Sequence, residues 1–411
     1  MNIDFYSHCY FPAQGGAEYL IQSLAESLRN DYFHNCRIFT TNAYSCDAFN
    51  DPSLPVMNAS RSTINSIEVS RFNLNDRNNA FSTTAGKFLN FFENAKLNEI
   101  SRLLNLGPRS LELIKSALTE NCDISVVTAF PLLHTYIFQL GKKLLDRKFI
   151  LIGCFHIDDP LHRTKINLNT AFNSDGYICL TRVEYDYFIR RGVKKNNLLL
   201  AAPPVIDAEI IRASNESARA KIGLATNLNI LYFGQIIYHK NLELLLKAFE
   251  SIAREKSEIG LIIAGGGSSN YYKKLLNIVN CFDEWIKSRI TIKTDIDESD
   301  KNIIYSAADI FILPSFYESF GIVILEAWQY GLPVIVSDIE QLKDLTESGK
   351  CGLIFNKYDC QDLKSKIQTL IDNSELRREL GEKGRELLKI KYNKRDLMKI
   401  INSFITSKAA S

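Results

Sequence analysis

A chain of 411 residues exceeds what one ordinary hydrophobic core serves, and at ~150 residues per domain two domains are expected. With 46% hydrophobic and 23% charged residues it has the composition of a globular protein, which excludes a disordered or fibrous one. The 49 Lys and Arg against 47 Asp and Glu leave a net charge of +2, so no global basic field gathers nucleic acid, and no nucleic-acid partner is expected.

The longest clean apolar run, residues 149–155, falls far short of the ~18 residues that cross a bilayer. The first basic residue is Arg29, so the start lacks the charged region of a secretory signal and a cytoplasmic protein is expected. Nine scattered cysteines without a C-x-x-C pair read as reduced, mostly buried thiols rather than as a disulfide framework or zinc site.

In chain order, strands are expected at 2–6, 36–40, 64–70, 124–128, 148–155, 176–180 and 197–201. A helix over 17–29 places Leu20, Ile21, Leu24, Ala25 and Leu28 on one face. The pattern then repeats, with strands at 228–233, 259–264, 289–292, 309–313 and 333–337. Asn241 is positioned to cap a helix with Leu242, Leu245, Leu246, Phe249 and Ile252 as its buried stripe. Short strands alternating with amphipathic helices indicate two α/β, doubly wound parallel-sheet domains of Rossmann type. The linker falls near Pro203, because the Pro203-Pro204 pair fits neither a helix nor a central strand. This gives an N-terminal domain over 1–203, a C-terminal domain over 204–390, and a C-terminal helix over 391–411 able to cross back to the N-terminal domain.

The densest chemical signal is Pro314-Ser315-Phe316-Tyr317-Glu318-Ser319-Phe320-Gly321-Ile322-Val323-Ile324-Leu325-Glu326-Ala327, which follows a strand and enters a helix ended by Gly331 and Pro333. Glu318 then lies in the loop and Glu326 in the first turns of the helix. The unpaired N–H groups around Phe320, Gly321, Ile322 and Val323 suit an anion. Taken alone, the same residues also describe an acidic helix cap. Elsewhere, Gly234-Gln235-Ile236-Ile237-Tyr238-His239-Lys240-Asn241 joins a strand to a helix, and Gly15-Gly16 lies in the turn before the first helix. A lone lysine there is equally a solvated residue, and a lone Gly-Gly an ordinary turn. His156, with Asp158 and Asp159 beyond it, follows the strand at 148–155.

The E-x7-E spacing of Glu318 and Glu326 within this motif resembles the retaining glycosyltransferases of family 4, which have the GT-B fold, two Rossmann-like domains facing a central cleft. The likeness extends to Ala264-Gly265-Gly266-Gly267, Ser306-Ala307-Ala308-Asp309, Gly331-Leu332-Pro333-Val334-Ile335, Asp338 and Cys351-Gly352-Leu353. The resemblance implies transfer of a hexosyl unit from a UDP- or GDP-sugar to an acceptor hydroxyl. Glu318 would hold the donor sugar, Glu326 the ribose, and Lys240 the diphosphate, while Gly15, Gly16, Phe320, Gly321, Ile322 and Val323 would line the donor site. His156 resembles the family's cleft histidine, and Asp158 could bind the acceptor. Gln235 stands where the family usually has an arginine, whose charged fork an amide cannot replace.

No cofactor and no metal are implied, and His8, His34, His156 and His162 show no metal-ligand spacing. The resemblance also implies a saccharide or lipid-linked saccharide acceptor, as in cell-surface polysaccharide, lipopolysaccharide or glycolipid synthesis. Residues 85–104, with Phe88, Leu89, Phe91, Phe92 and Leu97 among Lys87, Lys96 and Arg102, read as a core helix or as a peripheral contact with the cytoplasmic face of a membrane. The missing arginine leaves a non-catalytic GT-B binding or regulatory protein as the alternative. A phosphorylase is compatible with the same architecture. A dinucleotide-dependent oxidoreductase is disfavoured because Gly265-Gly266-Gly267 lacks the full G-x-G-x-x-G pattern.

Overall fold

The β-branched runs pair side by side as two sheets, each belonging to its own unit of the chain. In the computed structural model, residues 1–79, 83–85, 87, 95–160, 162–205, 213–267, 269–294 and 296–411 are described. One unit comprises Met1–Val205 with Lys394–Ser411, and the other Ile206–Asn393.

The first unit holds β1 (Asn2–Tyr6), β2 (Asn35–Thr41), β3 (Ser60–Ile64), β4 (Ile67–Phe72), β5 (Ile124–Phe130), β6 (Phe149–Gly153), β7 (Gly176–Cys179) and β8 (Leu198–Leu200). Their order in the sheet is β3-β4-β2-β1-β5-β6-β7-β8. All neighbours run parallel except β3 and β4. The expected strand at 64–70 is therefore corrected to a hairpin. Asn65 and Ser66 take φ of +48° and +66°, which turns the chain between Ile64 and its partner Ile67. A two-residue hairpin turn needs such left-handed residues, and Asn tolerates them better than most.

The second unit holds β9 (Leu228–Phe233), β10 (Ile259–Ala264), β11 (Ile290–Lys293), β12 (Ile310–Leu313), β13 (Val334–Ser337) and β14 (Leu353–Phe355), in the order β11-β10-β9-β12-β13-β14, all parallel. Every residue of β10, β12 and β13 is buried, as strands covered on both faces must be. Helix Leu242–Glu255 buries Leu242, Leu245, Leu246, Phe249 and Ile252. Asn241 precedes it but does not cap it with its side chain. Its φ of +56° turns the side chain away, and Nδ2 donates instead to the Lys357 carbonyl at 3.1 Å. This corrects the capping role expected for it.

The cysteines also differ from expectation. All nine are free, but only Cys9, Cys36, Cys179 and Cys351 are buried, while Cys46 and Cys281 are exposed. Among the described residues no helix is long and apolar enough to cross a membrane. Within 85–104, Phe88, Leu89, Phe91 and Phe92 lie outside the described residues. Leu103, on helix Ala95–Leu106, packs with Leu133 and Ile166.

The last helix, Lys394–Ala410, belongs to the first unit and buries Leu397, Met398, Ile401 and Ile405. Polar contacts fix its register: Asn402 Oδ1 meets His34 Nε2 at 2.7 Å, Lys408 donates to Asn197 Oδ1 at 2.9 Å, and Lys148 donates to the Ala409 carbonyl at 2.7 Å. Ile405 is fully buried, so Ile405→Ala leaves a cavity and is expected to destabilise this unit by ~2–4 kcal/mol, read as a shifted midpoint in urea unfolding.

Candidate functional site

In the second unit, β9 and β12 are neighbours, and their connections leave in opposite directions across the sheet, β9 toward β10 and β12 toward β13. Such a reversal opens a crevice at the carboxyl ends of the strands. Lys240 lies beyond the end of β9 in the turn Tyr238–Lys240, and Glu318 lies beyond the end of β12. They meet, with Lys240 Nζ donating to Glu318 Oε1 at 2.5 Å. Ser315 Oγ donates to the same oxygen at 2.9 Å, and Ser337 Oγ fixes the Ser315 carbonyl at 2.6 Å. The two loops are also stitched through the backbone, Phe316 N–H to the His239 carbonyl at 2.8 Å.

Glu318 is buried. Burial alone would raise its pKa, but the charge and hydrogen bond of Lys240, with His239 and Ser315, outweigh it and hold the carboxyl below its usual range. The loop thus presents an ionised acceptor whose positive partner is already in place.

Gly321 leads helix Ile322–Gln329 with φ of +93°, and a Cβ there would stand 3.1 Å from Leu342 Cδ2. The left-handed backbone favours glycine, and any side chain would also press on Leu342. Phe320 is buried before it. Glu326 is buried one turn further on, its Oε1 taking Lys301 Nζ at 2.7 Å and its Oε2 taking Tyr305 OH at 2.8 Å. Lys301 and Tyr305 are four residues apart on helix Glu298–Ala307 and so share a face. Neither was singled out from the sequence. The readable signal was their spacing just ahead of the Ser306-Ala307-Ala308-Asp309 stretch. Gln235 is exposed, and its backbone carbonyl accepts from Tyr232 OH at 2.6 Å.

In the first unit, Gly15 precedes helix Gly16–Asn30 with extended backbone, and its carbonyl accepts from Tyr19 N–H at 3.0 Å. His156 lies beyond the end of β6 in a turn closed by Asp159 N–H to its carbonyl, while Asp158 is exposed. The His156 N–H donates to His162 Nδ1 at 2.9 Å, and the two rings meet edge to face at 5.0 Å. Burial, reinforced by His156, pushes the His162 pKa down to about 3. A neutral ring is what leaves Nδ1 free to accept that bond.

Glu184 is another residue the sequence reading missed. It accepts from Tyr177 OH at 2.6 Å and from Leu180 N–H at 2.8 Å, and burial raises its pKa to about 7. The sequence spacing of the histidines showed no ligand pattern, yet folding brings the ligand atoms of His8, Cys9 and Glu18 within 4.8 Å of one another.

With these arrangements established, comparison with known proteins gives the class. Residues 214–387 match the family described as glycosyl transferases group 1. That stretch is most of the second unit, and the two α/β units have the GT-B fold. It is 27% identical over 195 residues to the alpha-D-kanosaminyltransferase of Streptomyces kanamyceticus, covering 47% of this chain and 49% of that one. It is also 27% identical over 247 residues to the D-inositol 3-phosphate glycosyltransferase of Mycolicibacterium smegmatis, covering 59% and 55%. The chain thus spans about half the length of these curated relatives. A longer match, 24% identical over 96% of this chain and 84% of the other, is to the alpha-monoglucosyldiacylglycerol synthase of Streptococcus pneumoniae. In fold it resembles Anabaena HepE in complex with UDP and glucose, with a TM-score of 0.72 at 18% identity over 99% of this chain and 100% of that one.

The buried histidines make the first unit acid-sensitive. His134, whose Nε2 meets the Thr128 carbonyl at 2.6 Å, is likewise held neutral by burial, with a pKa of about 3. Both pKa values lie below the ordinary 6.5, so the unfolded chain binds more protons between pH 6.5 and 3. Their stabilisation is full above pH 6.5 and is lost as the pH falls, at ~1.4 kcal/mol per pH unit per histidine. Glu184, raised to about 7, titrates in the opposite sense, so the histidine contribution is read by difference: urea unfolding at a series of pH values should give His162→Asn a slope smaller than the unaltered chain's by about one proton's worth.

Proposed function

We propose that this protein transfers a hexosyl unit from a nucleoside diphosphate sugar, UDP- or GDP-linked, to an acceptor hydroxyl with retention at the anomeric carbon. The observation that carries the reading is the pair of buried carboxylates, Glu318 and Glu326, on either side of the start of helix Ile322–Gln329, each already matched to a lysine. Both carboxylates thus stand as hydrogen-bond acceptors at the carboxyl end of the sheet, where an α/β crevice takes its ligand.

Glu318 accepts hydrogen bonds from hydroxyls of the donor sugar and Glu326 from the ribose hydroxyls, since an ionised carboxylate takes two neighbouring donors. Lys240 carries three N–H donors, so it keeps Glu318 and still reaches a phosphate oxygen. The free amides of Gly321, Ile322 and Val323 at the helix start add fixed partial positive charge where the departing diphosphate gathers its negative charge. The leaving phosphate itself takes the acceptor's proton, and no step passes through a metal.

In the first unit, Gly15 and Gly16 allow close backbone approach to an anionic group, and His156 and Asp158 face acceptor chemistry at a strand end. The acceptor is a saccharide or lipid-linked saccharide of a cell-surface polysaccharide, lipopolysaccharide or glycolipid, used on the cytoplasmic side of a membrane. Support comes from the relative named as a glucosyldiacylglycerol synthase and from a fold neighbour, WaaG, named for lipopolysaccharide biosynthesis (TM-score 0.65, 15% identical, 97% of this chain and 99% of that one).

The test is a thermal-shift titration with UDP, GDP, ADP and their sugar conjugates, followed by nucleotide release. One nucleotide class should raise the melting temperature and its sugar conjugate should turn over. Glu318→Gln should leave the chain folded, with a lowered melting temperature because buried Lys240 loses its counter-charge, and cut turnover by about 100-fold. Glu326→Gln should weaken nucleotide binding by ~10-fold or more, the size of one charge-assisted hydrogen bond. Binding without turnover in the unaltered chain would instead favour the non-catalytic reading that Gln235 suggests, and full activity in Glu318→Gln would sink the assignment of that residue.

A further inference from the structure

We infer that the first unit holds a zinc-class metal ion through His8, Cys9, Glu18 and Cys46, a site separate from the proposed donor chemistry. Three segments of chain converge there. His8 and Cys9 lie just beyond the end of β1, Glu18 sits in the first turn of helix Gly16–Asn30, and Cys46 opens the short turn Cys46–Phe49 that follows β2. His8 Nε2 stands 3.0 Å from Glu18 Oε1, and the ligand atoms of His8, Cys9 and Glu18 all lie within 4.8 Å of one another. The Cys46 thiol lies near Cys9 and His8 and is the fourth ligand inferred here.

The donor set selects the metal. Two sulfurs, one imidazole nitrogen and one carboxylate oxygen make a four-coordinate set suited to Zn²⁺, whereas Ca²⁺ and Mg²⁺ require oxygen shells. Bond lengths of ~2.3 Å to sulfur and ~2.0–2.2 Å to nitrogen and oxygen separate tetrahedral ligand atoms by roughly 3.3–3.8 Å. Closing the His8, Cys9 and Glu18 atoms onto an ion therefore needs side-chain adjustments of about an ångström, and Cys46 completes the set from its own short turn. The backbone is already held, because Thr41 Oγ1 donates to the His8 carbonyl and Ser7 Oγ to the Cys9 carbonyl, each at 2.6 Å.

The surroundings fit a metal centre better than a plain ion pair. His8, Cys9 and Glu18 are all buried, and Cys9 packs with Ala13, Ala43, Ala48 and Phe49 in an apolar cluster. His8 Nδ1 is buried with no hydrogen-bond partner, an orphan that an ion bound at that nitrogen would satisfy while Nε2 stays with Glu18. Cys46 is an exposed residue, so it offers the ion a way in from solvent. On binding, the ion replaces the thiol protons of Cys9 and Cys46, which pass to solvent, and takes the Nδ1 lone pair of a neutral His8 whose Nε2–H stays hydrogen-bonded to Glu18. The bound ion would tie the turn bearing Gly15 and Gly16 to the loop after β2.

The full-length chain, reduced and stripped with a chelator, is titrated with Co²⁺ and then Zn²⁺. The expected result is one equivalent of Co²⁺ giving a sulfur-to-metal charge-transfer band and tetrahedral visible bands, both abolished by Zn²⁺, together with a raised melting temperature. Cys46→Ser, at an exposed turn, should melt like the unaltered chain in chelator yet weaken the thiolate band and lower Zn²⁺ affinity at least tenfold, while Cys281→Ser, at an exposed thiol elsewhere, should change nothing. Absence of the charge-transfer band, or a band that survives unchanged in Cys46→Ser, would overturn the site. Neither readout involves sugar transfer, so this outcome is independent of whether the proposed activity stands.

Discussion

A carboxylate buried at the end of a strand must be compensated, and much of the second unit is arranged so that Glu318 is. Its partner, Lys240, is distant in sequence but comes from the strand hydrogen-bonded beside it, since β9 and β12 are adjacent. That adjacency exists because the sheet reverses direction between them. The crevice, the lysine and the carboxylate are thus three consequences of one strand order. Ser315, Ser337 and the backbone bond from Phe316 to His239 then hold the geometry that keeps the pair short. A buried pair of this kind contributes little net stability against an apolar replacement, and its place at the strand ends agrees with the proposed ligand role.

The first unit meets the same constraint differently. Its buried polar groups are mostly kept neutral or satisfied internally. His134 and His162 lose their protons to burial, and each then bonds a backbone group. Glu184 takes Tyr177 and Leu180 as donors, and the space it occupies requires Gly153, where a Cβ would fall 2.1 Å from its Oε1. A glycine at the last position of β6 is therefore explained by a carboxylate on a later helix. His156 emerges from this same strand end, so its loop is anchored to a rigid, well-packed base.

Local periodicity carried most of the fold. The stripes at Leu20, Ile21, Leu24 and Leu28 and at Leu245, Leu246, Phe249 and Ile252 could be read because each depends on one helix alone. The motif from Pro314 to Ala327 was legible for the same reason, as strand, loop and helix start in one stretch. What escaped was non-local or very short. The hairpin at Asn65-Ser66 looked like continuous strand because the turn costs only two residues, and β14 spans just Leu353–Phe355. Asn241 has the right residue type for a cap, but its left-handed backbone aims the side chain elsewhere. Lys301 beside Glu326, and Cys46 beside His8, come from separate elements, and no window along the sequence brings them together.

Gln235 changes which groups answer for phosphate charge in the proposed reaction. An arginine fork would bring a fixed positive charge independent of Glu318. With an amide there, the lysine proposed to meet the diphosphate is the one that neutralises Glu318. The two demands compete while the donor is intact, because the single charge of Lys240 is then shared between Glu318 and phosphate in a buried setting. They cease to conflict as the glycosidic bond lengthens. Positive charge then grows on the sugar ring beside Glu318 while negative charge grows on the phosphate beside Lys240. Each half of the pair finds a new partner at the same moment. An ion pair that is self-satisfied in the resting protein and better satisfied by the charge-separated state favours that state over the bound donor, which is the condition for catalysis rather than mere binding. On this argument the missing arginine weakens the grip on the ground-state donor more than it weakens the response to bond cleavage.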